Sequence, residues 1–152
     1  MSFGEHLPTV VLHFDVGGET LGLDVAAVAE VTAATPLVRL PGVPAAVAGL
    51  TALRARPITV IDVAVLLALT PAADSDRTAL LVLAEPWNHL ALSVAANVGL
   101  SPLVRGRSAP TSGHAQLGDG REVRLLDPEA IVVTLERSLG GPGAGLEAQP
   151  WT

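Results

Sequence analysis

The sequence predicts a mainly β fold built from short strands with a few helical turns. Three observations carry that expectation. Apolar and polar residues alternate with period two over Val10–Val16 and again over Leu21–Val25. Pairs of strand-like runs are separated by turn chemistry, Gly17-Gly18 in one case and Glu85-Pro86-Trp87-Asn88 in the other. The clearest helix signal comes only near the end, at Asp127-Pro128-Glu129. At 152 residues the chain has the size of one domain, with room for two small barrels sharing one core.

In chain order, residues 1–8 read as an N-terminal segment. Val10, Leu12, Phe14 and Val16 fall on one strand face and Val11, His13 and Asp15 on the other, so two half-buried strands meet at Gly17-Gly18 in a hairpin. Val25, Val28 and Val31 have the spacing of one or two helical turns. Pro36, Pro41, Gly42 and Pro44 punctuate the next stretch, and Ala45–Ala48 reads as a short helix with Pro44 in its first turn and Gly49 closing it. Leu50–Val60 reads as one strand, followed by Asp62 and the apolar Val63–Leu69. The acidic, small-residue stretch from Thr70 reads as a linker, and residues 70–78 are the expected internal boundary. Ala79–Ala84 and His89–Val94 form a second hairpin. Arg105–Gly113 reads as a polar loop, Gly118-Asp119-Gly120 as a turn and Glu122–Leu126 as a strand. Asp127 then caps a helix with Pro128 at its first position and Ile131, Leu135 and Leu139 along one face, ended by Gly140; residues 140–152 read as a flexible tail.

The segments "TLGLDVAA" (20–27) and "HLALSVAA" (89–96) match at Leu21/Leu90, Leu23/Leu92, Val25/Val94, Ala26/Ala95 and Ala27/Ala96. An internal duplication explains the match, and so does chance in a chain this rich in Ala, Val and Leu.

Composition removes several function classes. The chain is 49% hydrophobic, 16% charged and 3% aromatic, so its core is built from aliphatic side chains and apolar surface is left for a partner. Net charge is −6 and every basic residue is arginine, which argues against a nucleic-acid partner. The absence of cysteine excludes disulfides and thiolate metal sites. No basic segment followed by an apolar one opens the chain, and no apolar run approaches the ~20 residues that span a bilayer, so a cytoplasmic protein without membrane insertion is expected.

Catalytic chemistry is poorly supplied. There is no nucleophile elbow, and the missing lysine excludes a P-loop and a Schiff base. His6, His13, His89 and His114 lack metal-ligand spacing. Asp15 with Asp24, or Asp62 with Glu30, could pair only if the hairpins bring them together; such residues more often cap turns or sit on solvated faces. No enzyme, cofactor or metal is expected.

The stretch "GLTALRARPITVID" (49–62) is unusual in holding two arginines within a strand-like run. In a regular strand Arg54 and Arg56 share a face, opposite Leu53 and Ala55. They either lie along an exposed face, or Arg54 forks toward a carboxylate such as Glu30 or an acid on a partner.

Several segments in order, "FDVGGETLGLDVAAVAEV", "LPGVPAAVAGLTALRARPITVIDVAVLL", "ALLVLAEPWNHLALSVAANVGL" and "GDGREVRLLDPEAI", resemble the CheW family of bacterial chemotaxis coupling proteins over about residues 9–139. The shared pattern is Val-x-Glu-Val, Leu-Pro-Gly, Gly-x-x-x-Leu-Arg running into Pro-x-x-x-x-Asp, and a late Leu-Leu-Asp-Pro. The resemblance implies two intertwined five-stranded SH3-like β-barrels with a groove between them, and a non-catalytic adaptor. Its partners would be the cytoplasmic tip of a methyl-accepting chemoreceptor, held in the groove, and the regulatory domain of a chemotaxis histidine kinase. By position, Glu30 is the acid of Val-x-Glu-Val and Arg54 the arginine of Leu-Arg, with Val28, Val31, Leu53 and Val98 as apolar receptor contacts; Leu53 reads equally as core. The family's Asn-Leu-Arg-Gly is here Ala52-Leu53-Arg54-Ala55, and its Asp-x-Val in the second half is replaced within Ala95–Val98. These departures imply reshaped loops, an altered kinase-facing surface and a divergent member, of which a frizzy-pathway accessory coupler is one form. Two other classes stay open: a small-molecule-binding or enzymatic barrel, if His13, His89 and Glu30 converge in one cavity, and a self-associating array subunit.

Overall fold

The computed structural model describes residues 10–70, 78–95, 98–104 and 114–138. Among the described residues, ten strands form two five-stranded sheets. The first half of the chain supplies β1 (Val10–Val16), β2 (Glu19–Asp24), β3 (Val28–Ala33), β4 (Val47–Leu53), β5 (Arg56–Asp62) and the short helix α1 (Val63–Leu66). The second supplies β6 (Ala79–Leu83), β7 (Leu90–Val94), β8 (Gly99–Val104), β9 (His114–Leu117), β10 (Glu122–Leu125) and helix α2 (Pro128–Ser138).

The halves repeat one plan and exchange hairpins. The first sheet closes into a barrel in the order β1-β2-β10-β9-β8, and the second runs β3-β6-β7-β5-β4. Hairpin β1–β2 therefore completes a sheet made by the second half, and hairpin β6–β7 completes one made by the first. Leu21 of β2 lies opposite Arg124 and Gly22 opposite Leu125 in a parallel pairing; Leu90 of β7 lies opposite Thr59 and Ala91 opposite Val60, also parallel. The residues matched in the sequence repeat thus occupy matching registers. Asp62 and Asp127 correspond too: Asp62 Oδ1 accepts from the backbone amides of Ala64 (3.0 Å) and Val65 (3.3 Å), and Asp127 Oδ1 from that of Glu129 (3.0 Å). Each cap starts the helix that follows the last strand of its half.

The exchange puts a core between the sheets as well as inside each. Leu12, Phe14, Leu21 and Leu23 of the first hairpin pack back to back against Leu81, Leu83, Leu90 and Leu92 of the second. Val11, Leu117 and Val123 fill the first barrel, and Ile58, Val60, Leu80 and Val82 the inside of the second sheet. The hairpin strands are consequently buried on both faces, as in the uninterrupted "ALLVL" of β6. The half-buried reading of β1 and β2 is corrected on this point: Val11 and Leu12 are both buried, one inside the barrel and one against the other sheet.

Both hairpins lie where the sequence places them, with Gly17 and Gly18 in the left-handed conformation at φ 59° and 85°. Three local expectations are overturned. Val25–Val31 is one three-residue 3₁₀ turn (Val25–Ala27), capped by Asp24 Oδ1 on the Ala26 amide at 2.9 Å, and then the strand β3. Ala45–Ala48 is not a helix: Val47 and Ala48 already belong to β4, and Gly49 sits at an irregularity in the β4–β5 register, not at a helix end. A Cβ there would stand 2.7 Å from the Val38 carbonyl oxygen, so the glycine serves the close approach of the 38 segment. Finally, Leu50–Val60 is not one strand but a hairpin, β4–β5, turning at Arg54-Ala55.

The strands β8 and β9 had no clear signal in the sequence. The expected boundary at 70–78, the loop at 105–113, the tail at 140–152 and the helix stop at Gly140 fall largely or wholly outside the described residues.

Candidate functional site

The site lies where the two sheets meet. β3 is an edge of the second sheet, and β8 borders β1 in the first. Between them runs a groove of about 630 Å³ lined by Leu12, Val25, Val28, Glu30, Val31 and residues Val98–Leu100. Its walls correspond in the duplicated plan. Val31 pairs with Leu81 on β6, and Leu100 with Leu12 on β1, at equivalent positions of the two hairpins. The two side chains are left 46% and 62% exposed, far more than the core leucines, and with Val25 at 40% they form the unburied apolar surface of the groove. Glu30 is the single charged group among the described lining residues.

Four of the six residues singled out in the sequence, Val28, Glu30, Val31 and Val98, line this groove. Arg54 stands at its rim. Its guanidinium donates to Glu30 Oε1 as an ion pair, with the arginine 73% exposed and the glutamate 30%. Leu53 does not reach the groove; it packs, half-buried, against the core of the second sheet. Leu12, Val25 and Leu100 line it without having been singled out. For Leu100 the signal is the duplication, since it repeats Val31 once the registers of the two halves are compared.

The backbone that presents Arg54 is strained. Arg54 and Ala55 take φ of 49° and 67°, the pair of positive values that a two-residue hairpin loop demands. Leu53 then pairs with Arg56 in register. Arg54 and Arg56 accordingly do not share a strand face: Arg54 is the first loop residue and reaches to β3, whereas Arg56 opens β5 and its guanidinium donates to the Asn88 carbonyl at 3.3 Å. Ala55 keeps the left-handed backbone in which glycine would be relaxed.

Among the described residues, neither His13 nor His89 joins Glu30 in the groove. His89 is exposed on the β6–β7 turn. His13 is buried under the β8 wall, its Nε2 at 2.9 Å from Ser101 Oγ. Burial holds its imidazole below the ordinary value of 6.5; the Arg121 guanidinium acts in the same direction, and Asp119 and Asp15 oppose. Asp15 accepts from the Thr20 hydroxyl at 2.9 Å, and Asp24 lies at the far end of the same hairpin, opposite Val11. Asp62 caps α1, the capping role that the sequence favours for such residues, and Glu30 engages Arg54. No group of three or more potential metal ligands is present among the described residues, and no described helix is long and apolar enough to cross a membrane.

What this arrangement can do is bind: an apolar trough with one ion pair at its rim offers area to an amphipathic helix and a charge to set its register. Comparison with known proteins bears on the fold. The CheW-like domain matches residues 10–136. The scaffolding protein TtCheW from Thermoanaerobacter tengcongensis, known from a crystal structure, aligns with 86% of this chain and 92% of its own at a TM-score of 0.69 and 19% identity. No curated protein matches significantly by sequence.

Proposed function

The chain belongs to the CheW-like domain family, and we propose that it is a chemosensory adaptor whose inter-sheet groove holds the cytoplasmic tip of a methyl-accepting chemoreceptor. The observation that carries this reading is the groove itself, with Val31 and Leu100 exposed on opposite walls and Glu30 tied to Arg54 at the rim. An amphipathic helical hairpin laid in the groove covers those apolar side chains, while Arg54 exchanges or shares its carboxylate with an acid on the receptor.

In this reading the protein is a cytoplasmic scaffold without a reaction of its own. It links the receptor to the regulatory domain of a histidine kinase. The Arg54-Ala55 turn supports retention of the family's presentation of the arginine, because the left-handed backbone persists although alanine replaces glycine. The test is calorimetric titration with a receptor cytoplasmic fragment and, separately, with the kinase regulatory domain from the same organism. Binding to both makes the chain an ordinary coupler, and binding to the receptor alone a specialised accessory one. Binding to neither overturns the adaptor reading and leaves the groove as a small-molecule pocket, or, where the chain alone forms large assemblies, as part of a self-associating array.

A further inference from the structure

His13 has surroundings that neither the groove nor the core requires. It lies on β1 directly between Gly22 of β2 and Gly99 of β8, in register with both. Gly99 leaves the space its imidazole fills: a Cβ there would stand 2.7 Å from the ring's Cε1 and 3.0 Å from its Nε2. At the equivalent position of the other hairpin the chain has Val82, opposite Glu30, so the imidazole is peculiar to the first barrel. His13 is 9% exposed, and its Nε2 meets Ser101 Oγ. Both Gly99 and Ser101 belong to β8, and Leu100 between them is the most exposed apolar side chain of the groove. The ring therefore supports, from beneath, the strand segment that presents Leu100.

We propose that His13 is a proton-sensitive positioning residue, and that its protonation loosens the β8 wall and so lowers the groove's hold on its partner. The proposal rests on the groove being the receptor site; the loosening itself belongs to the chain alone. Its physical cause is solvation. A neutral imidazole satisfies Ser101 and fills the space that Gly99 leaves; an imidazolium in the same place lacks the water its charge requires. Among the described residues, the charged groups acting on it are Asp15 on its own strand and Asp119 and Arg121 at the β9–β10 turn. Arg121 itself binds Asp119, with Nε at 2.9 Å from Oδ2, so that carboxylate is already engaged. At the register positions beside the ring, β2 and β8 place only Gly22, Gly99 and, two residues on, Ser101. Hydrating the charged ring means turning it out from under Gly99, which breaks the Ser101 contact and removes the support.

The test is hydrogen–deuterium exchange of the full chain at about pH 7.5 and about pH 5.5, corrected for intrinsic exchange, in the wild type and in His13→Gln, with the His13 ring followed by NMR. Glutamine keeps a polar atom for Ser101 and does not titrate. In the wild type, protection of the Leu100 and Ser101 amides falls at the lower pH by at most about tenfold, the ratio of charged to neutral imidazole one unit below 6.5. In His13→Gln the pH dependence disappears, while β6 and β7 amides respond equally in both proteins. Protection of β8 that is independent of pH in the wild type overturns the proposal, as does an equal pH dependence in the variant. Should His13→Gln fail to fold, the wild type decides: a ring that titrates with no accompanying change in β8 overturns it, and coincident midpoints support it. Because no partner is present, a failed receptor titration does not bear on this outcome.

Discussion

Arg54 and Glu30 are 24 positions apart, yet one ion pair joins them, from the left-handed turn between β4 and β5 to the groove-lining strand β3. The second sheet has no backbone ladder between β3 and β4, its two edges. The pair therefore ties together strands that hydrogen bonding leaves apart, at the rim of the groove. Because the arginine is largely in water, its stability contribution is of the order of an exposed pair, about 0–1 kcal/mol.

Arg54→Glu is expected to leave the melting temperature within a few degrees of wild type and to weaken binding of a receptor fragment at least about tenfold. The double variant Glu30→Arg with Arg54→Glu restores the internal pair; recovered binding would show that the pair itself is read, and binding that stays lost would show that the partner reads the charge of Arg54. Unchanged affinity in the single variant would remove Arg54 from the site.

Val31→Asp and Leu100→Asp place a charge on each groove wall at positions already open to solvent. Stability measured by urea unfolding should change by about 0.5 kcal/mol or less, whereas calorimetry should register loss of receptor binding in each. If only one wall matters, the partner occupies half the groove.

Ala55→Gly relieves a residue at φ 67° in a loop that must turn left-handed. A gain of about 0.5–1 kcal/mol in urea unfolding is expected, the left-handed penalty less the greater freedom of glycine in the unfolded chain. A loss would mean that the methyl group is packed in a way that compensates the strain.

Phe14→Ala opens the core between the two hairpins, where the ring is fully buried. The expected cost is about 3–5 kcal/mol, a large part of the stability of a domain this size. Since hairpin β1–β2 belongs to one sheet and its outer face to the shared core, unfolding should stay a single transition by circular dichroism and calorimetry; two separate transitions would show that the sheets fold independently.

The stability of the chain should also fall with acid through His13. Its folded value lies below 6.5, so the unfolded state binds the proton more tightly; the contribution is fully present above 6.5 and is lost as pH falls through the folded value. Urea midpoints of the wild type and His13→Gln should converge toward low pH, and parallel curves would deny His13 that share.

Legibility in the sequence followed the chemistry of the turns. Hairpin β1–β2 was readable because glycine announces a left-handed turn, and α2 because Asp127 and Pro128 announce a helix start. Hairpin β4–β5 was not, because its turn is filled by Arg54 and Ala55, residues that carry no turn signal and sit there under strain. Ala45–Ala48 imitates a helix, with proline before and glycine after, but Gly49 answers to the nearby Val38 carbonyl, a neighbour no local pattern reveals. Val28, Glu30, Val31 and Val98 were reachable through the family pattern; Leu100 was not, since its partner in the repeat becomes visible only when registers are compared.

Alternation, turn residues and caps are local, so the mainly β class, both glycine- and proline-marked hairpins, the last helix and the duplicated segments were all present in the order of residues. Which sheet each hairpin joins was not. β1 and β2 pair with strands about 90 to 100 positions away, in preference to β3, their nearest successor, and that choice rests on burying leucines that face both ways along each hairpin. The exchange sets β3 beside β8, leaves Val31 and Leu100 facing one trough, and brings Arg54 to Glu30; long-range packing made the site out of strands that local pattern could only propose.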